Sequence, residues 1–140
     1  MTDDDKLDFD KARLESYLRE AVPELDHDLG RIVKIGGGQS NPTYRLTFGE
    51  RDVVLRKQPG GELLPSAHAV DREYRVQKAL AAGDVPVPAM LHLCEDKGIV
   101  GTLFYIMEAL DGRVFHDSIL EGVSPVERGA MYASMNDVLA

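Results

Sequence analysis

The residues whose types and spacing could do chemistry begin with three consecutive glycines, Gly36, Gly37 and Gly38, followed by Gln39, Ser40, Asn41 and Pro42. Backbone without side chains can approach a ligand closely, and successive N–H groups in such a turn can point at an anion, most often a phosphate. The residues that follow narrow the choice. A P-loop ends in Gly-Lys-Ser/Thr and opens a helix, whereas no lysine follows these glycines before Pro42. The dinucleotide fingerprint needs a third glycine where Asn41 stands, and it too opens a helix. Residues 43–48 instead alternate, with Tyr44, Leu46 and Phe48 on one face and Thr43, Arg45 and Thr47 on the other, which is the period of a strand. Strand, glycine turn and strand is an arrangement that can fold over nucleotide phosphates. An ordinary glycine-rich hairpin that binds nothing fits the same residues.

A second constellation pairs a carboxylate with a cation. On a helix expected over residues 67–82, Glu73 shares a face with Ala69, Val76 and Leu80. A carboxylate on an apolar stripe needs a partner. Its neighbours three and four residues away are Ala69, Val70, Val76 and Gln77, so the partner must come from elsewhere. Arg56, near the end of an expected strand over residues 53–57, is the candidate. A cation on the third strand held by a helix glutamate can clamp nucleotide phosphates; a purely structural Arg–Glu pair reads equally well from these residues. The apolar run of residues 104–110 offers backbone groups of Glu108 and Leu110 to an adenine edge, although a buried strand followed by a turn is its default reading.

Other chemistry finds no support. His92 and Cys94 lie on one face of one strand, and His68 and His116 are distant in sequence, so the paired spacing of a structural zinc site is missing. No metal site is expected in this chain. Cys94, the one cysteine, has no nucleophile motif around it and no internal disulfide partner.

The elements that must position these residues follow from periodicity. Residues 10–22 read as a helix with Asp10 as N-cap, and Pro23 stops it. Strands are expected over residues 28–35, 43–48 and 53–57, then the helix of residues 67–82 with Ser66 as its cap, then strands over residues 90–95 and 103–108. Ser124, Pro125 and Glu127 form a strong start signal for a last helix, with Met131, Met135 and Val138 on one face. No stop signal closes that helix before Ala140, which predicts a sequence cut inside or near the end of it and self-association through its exposed apolar face. The order predicts an α+β fold, a five-stranded antiparallel sheet with one long helix packed on it, an N-terminal helix and a truncated C-terminal helix.

Composition bounds the remaining classes. The 140 residues form one domain or a piece of one, and an apolar fraction of 44% can build a core. Net charge is −8, with Lys and Arg scattered rather than clustered, which sets nucleic acid aside. No apolar run is long enough for a membrane span, and the acidic start is unlike a signal peptide. A cytoplasmic chain is expected.

Taken in order, the Gly-rich hairpin, Val53-Val54-Leu55-Arg56, Arg72-Glu73-Tyr74, Val85-Pro86-Val87-Pro88 and Phe104-Tyr105-Ile106-Met107-Glu108 resemble the N-terminal lobe of the aminoglycoside phosphotransferase family, a branch of the protein-kinase-like fold. Leu64-Pro65-Ser66-Ala67-His68-Ala69-Val70 and Met135-Asn136-Asp137-Val138-Leu139 are closer still to the phosphotransferase-like domain that is fused to acyl-CoA dehydrogenase domains in animals. The resemblance implies a division into an N-terminal tail and helix (1–27), a nucleotide-binding lobe (28–110) and a hinge with the start of a second lobe (111–140). It implies that Gly36, Gly37, Gly38, Gln39, Ser40 and Asn41 cover the phosphates of ATP. Arg56 would stand where kinases carry a strand lysine, with Lys57 facing the other way. Glu73 would be its helix partner, Met107 the gatekeeper, and Glu108 and Leu110 the adenine contacts.

The family's His-Gly-Asp-x-x-x-x-Asn loop and its later metal-binding Asp do not occur in these 140 residues. The resemblance therefore implies the ATP-binding lobe of a phosphotransferase acting on a small-molecule hydroxyl, a hydroxyacyl-CoA or an aminoglycoside-like alcohol. This chain would be inactive alone, with the Mg2+ ligands in the second lobe. A non-catalytic nucleotide-binding or interaction module, and an α+β domain with no nucleotide site, are the alternatives.

Overall fold

The computed structural model describes residue 7 and residues 9–35, 41–59, 69–111, 120 and 122–139. Its elements are α1 (Lys11–Ala21), β1 (Leu29–Ile35), β2 (Thr43–Phe48), β3 (Arg51–Lys57), α2 (Val70–Leu80), β4 (Met90–Cys94), β5 (Phe104–Glu108) and α3 (Pro125–Leu139). The expected five-stranded antiparallel sheet is present, with strand order β1-β2-β3-β5-β4. The first three strands form a meander. The chain then crosses through α2 to the far edge, and β5 returns between β4 and β3.

Alternation along each strand divides the side chains between two helices. On one face Tyr44, Leu46, Phe48, Val53, Leu55, Phe104 and Ile106 pack with Leu14 and Leu18 of α1. On the other face Tyr105 packs with Val70 and Tyr74 of α2, flanked by Met90, Leu93, Leu103 and Met107. Helix α1 forms as its sequence predicts: the Asp10 carboxylate accepts from the amides of Ala12 (2.9 Å) and Arg13 (3.3 Å), satisfying donors the first turn leaves open. The hairpin joining β2 to β3 is tighter than expected. Strand β3 starts at Arg51, opposite Phe48, so Gly49 and Glu50 alone make the turn. Gly49 takes φ +64°, and a Cβ there would lie 2.7 Å from the His27 ring, so glycine is required twice over.

Helix α2 departs from expectation at its start and in its buried face. It begins at Val70, and its N-cap residue, Ala69, makes no side-chain cap hydrogen bond; Ser66 lies outside the described residues. The stripe predicted through Val76 and Leu80 is exposed, at 51% and 38%, and the buried residues are Val70 and Tyr74. An i, i+4 pair of large side chains sets the helix rotation against β4 and β5. This turns Glu73 and Gln77 toward Tyr105 at the side of the contact, not into its centre. Helix α3 is capped as predicted, the Glu127 amide donating to Ser124 Oγ at 3.2 Å. None of its residues is buried, and Met135 and Val138 are exposed.

Candidate functional site: a held Arg–Glu pair

Strand register assembles the site. Thr43 pairs with Arg56, Arg56 with Tyr105, and Tyr105 with Leu93, so these side chains form a row across four strands on the α2 face of the sheet. Glu73 comes down onto this row from α2. Its Oε1 lies 2.8 Å from Arg56 Nε, so the carboxylate expected to need a partner has one. The pair is partly exposed, with about a third of each side chain accessible (31% and 33%).

Two further donors converge on the same carboxylate. Tyr105 donates its hydroxyl proton to Oε1 (3.0 Å), and Asn41 donates through Nδ2 to Oε2 (2.8 Å). Both carriers are buried, Tyr105 at 1% exposure and Asn41 at 6%. Gln77 Nε2 donates in turn to the Tyr105 oxygen (3.3 Å). Burial, reinforced by the neighbouring Glu73 charge, pushes the Tyr105 hydroxyl up to about 12, so it remains a donor at neutral pH. Thr43 ties the row to the loop, donating to the Asn41 carbonyl (3.0 Å) and accepting a long bond from Arg56 Nη1 (3.5 Å). Asn41 Oδ1 is buried and has no hydrogen-bond partner among the described residues, and the buried Arg56 Nε meets Glu73 as an ion pair whose geometry is not that of an aligned hydrogen bond.

Of the residues singled out from sequence, Asn41, Arg56 and Glu73 are thus brought together. Gly36, Gly37, Gly38, Gln39 and Ser40 lie outside the described residues. Lys57 is carried to the opposite face, buried at 1% exposure with its Nζ 5.7 Å from the centre of the Phe9 ring. Met107 shares a face with Tyr105 and packs beside α2. The Glu108 amide is committed to the Ala89 carbonyl (2.9 Å), so of its backbone only the carbonyl could serve a ligand. Leu110 is 61% exposed just beyond β5. Tyr105, Gln77 and Thr43 were not anticipated. Gln77 was within reach of sequence reasoning, being four residues from Glu73.

A second charged group lies along the same face. Arg45 binds Asp52 of β3 (2.7 Å) and Asp111 beyond β5 (3.1 Å), joining the hairpin to the segment that leaves the sheet. The Thr47 hydroxyl, and then Arg45, hold the Asp52 carboxyl below its ordinary range. Among the described residues no group of three His, Cys, Asp or Glu could hold a metal ion, and no helix is long and apolar enough to cross a membrane.

Residues 31–140 match the family described as phosphotransferase enzyme family, APH. The chain is 48% identical over 126 residues to mouse acyl-CoA dehydrogenase family member 10, covering 90% of this chain and 12% of that protein. It is 46% identical over 135 residues to rat acyl-CoA dehydrogenase family member 11, covering 94% of this chain and 17% of the relative. A solved structure from Ralstonia eutropha JMP134, assigned there as an aminoglycoside phosphotransferase, superposes with a TM-score of 0.75 at 44% identity, over 93% of this chain and 36% of that one. The chain therefore spans about a sixth or less of these curated relatives and about a third of the solved structure. The kinase-like order of strands around a held Arg–Glu pair and the match over residues 31–140 agree: this chain belongs to the phosphotransferase enzyme family.

Proposed function

We propose that this chain is the nucleotide-binding lobe of a phosphotransferase that moves a phosphoryl group from ATP to a small-molecule hydroxyl. The observation that carries the reading is the Arg56–Glu73 pair, with Asn41 hydrogen-bonded to its carboxylate. The donor chemistry fits a phosphate. Arg56 is always charged and presents several N–H donors in a fixed fork. With Nε turned to Glu73, its terminal nitrogens carry only the long contact to Thr43 among the described residues. Arginine in place of lysine suits planar, two-point recognition of phosphate oxygens.

In this reading Arg56 binds and orients the phosphates, and Glu73 holds Arg56. The glycine-rich residues 36–41 are assigned to the phosphates, and the Glu108 carbonyl and Leu110 backbone to the adenine, with Met107 as gatekeeper. ATP supplies the transferred group. The 140 residues contain no His-Gly-Asp-x-x-x-x-Asn base motif. Binding is thus assigned to this chain, and transfer to a second lobe that brings base and metal ligands. The acceptor is an alcohol of the hydroxyacyl-CoA or aminoglycoside-like class.

Calorimetric titration of the chain with ATP, with adenosine in parallel, tests the proposal, with a cooperative thermal melt establishing that the sample is folded. Saturable ATP binding that Arg56→Met weakens supports it. A folded chain that binds no ATP, or binds it equally well without Arg56, overturns it.

A further inference from the structure

An ion pair that is one-third exposed on both sides is a poor anchor by itself. Such pairs contribute little and leave two long side chains free to change rotamer. Yet a clamp must present its cation in one orientation. The geometry supplies the missing constraint. We propose that Tyr105 and Asn41 are positioning residues that lock the Glu73 carboxylate from two sides, so that Arg56 meets a phosphate-bearing ligand already oriented. The inference rests on the nucleotide-binding reading above.

Three observations support it. The two donors divide the carboxylate between them: Tyr105 shares Oε1 with Arg56 Nε, and Asn41 takes Oε2. Rotation of the carboxylate would therefore break one bond or the other. Both donors sit on side chains immobilised by burial, so little rotamer entropy remains to be lost when they hold Glu73. The hydroxyl is also oriented. Gln77 donates to the Tyr105 oxygen, and a phenol has one proton, so that proton is directed to Glu73.

The arrangement joins three separate pieces of chain. Tyr105 lies on the interior strand β5, Glu73 and Gln77 on α2, and Asn41 just before β2. Seating of α2 and placement of the Asn41 side chain are then parts of one hydrogen-bonded unit, and a ligand that fixes either one favours the other.

Tyr105→Phe removes one oxygen and keeps the ring that packs on Tyr74. Loss of a hydrogen bond to a charged group, only part of it passed on to the ligand, predicts ATP affinity lower by roughly 3- to 10-fold. Adenosine affinity should not change, because adenosine carries no phosphate. In an Arg56→Met background Tyr105→Phe should have no further effect on ATP, since the group it positions is gone. Gln77→Leu, on the partly exposed side of α2, should shift ATP affinity in the same direction by less. A nucleotide-free readout separates this inference from the parent reading: in 15N–1H spectra the Arg56 Nε–H signal should move in Tyr105→Phe. An unmoved signal overturns the positioning role whether or not ATP binds. Equal weakening of ATP and adenosine, or an undiminished effect in the Arg56→Met background, overturns it as well. A moved signal in a folded chain that binds no ATP leaves the lock standing and removes its proposed purpose.

Discussion

Replacing Glu73 with glutamine changes one charge and almost no volume, and its consequences can be worked through from the surrounding atoms. Two hydrogen-bond donors face the carboxylate, Asn41 at 2.8 Å and Tyr105 at 3.0 Å, and Arg56 Nε lies 2.8 Å away as its counter-charge. A carboxylate accepts from both donors, whereas an amide accepts at one end and donates at the other. In Glu73→Gln one contact becomes donor against donor, and the Arg56 guanidinium loses its counter-charge. Because the Arg56–Glu73 pair is about one-third exposed, its own contribution to stability stays near the ~1 kcal/mol upper range for surface pairs. The mispaired buried amide of Asn41 adds about 1–3 kcal/mol. The variant should therefore unfold at a measurably lower denaturant midpoint with an unchanged slope. ATP affinity should fall by roughly 10-fold or more, since a charge-assisted contact to phosphate is worth ~1.5–3 kcal/mol and each ~1.4 kcal/mol is tenfold. Arg56→Met should lose ATP affinity to a similar extent, with a smaller effect on stability. Urea titration followed by circular dichroism, alongside ATP calorimetry, measures both quantities. If Glu73→Gln lowered stability but left ATP affinity within twofold of the parent, the pair would be structural and the clamp argument wrong.

Further outcomes follow from other contacts. Asp10→Ala removes the cap of α1 and should lower stability by ~1 kcal/mol, read as a shift in urea midpoint with ATP binding unaltered. Gly49→Ala forces a left-handed turn residue against the His27 ring and should cost at least ~1 kcal/mol in the same assay. Because the Asp52 carboxyl is held below its ordinary value of 3.8, its contribution is fully present above that pH. It is lost as pH falls through the depressed folded-state value. Acid unfolding of Asp52→Asn should accordingly be shallower below pH ~4 than that of the parent chain. Leu55→Ala, at a fully buried position of the α1-side core, should cost roughly 2–5 kcal/mol by chemical denaturation.

How much was legible in the sequence depended on the range of the signal. The α1 cap, the α3 cap and the β2 alternation are set by residues within a few positions of one another, and Asp10, Ser124 and Tyr44-Leu46-Phe48 took the predicted roles. The pairing of Arg56 with Glu73 was also within reach, because a helix carboxylate without a local cation demands a distant one. Tyr105 was not, since its place beside Arg56 depends on β5 inserting between β3 and β4. That is a register between segments some fifty residues apart. The face of α2 was misjudged for a related reason. Val76 and Leu80 looked apolar enough to be buried, but tertiary packing of Val70 and Tyr74 decided the rotation.

Arg56 and Lys57 are neighbours in sequence, yet one pairs with Glu73 on the α2 face of the sheet and the other is buried on the opposite face beside Phe9. What separates them is the parity of β3, and that parity is counted from a two-residue turn at Gly49 and Glu50. A one-residue slip of β3 against its neighbours would exchange the two faces of the strand, bringing Lys57 beside Glu73 and turning Arg56 toward the α1-side core. Which cation stands beside Glu73 is thus set by a spacing as well as by a side chain.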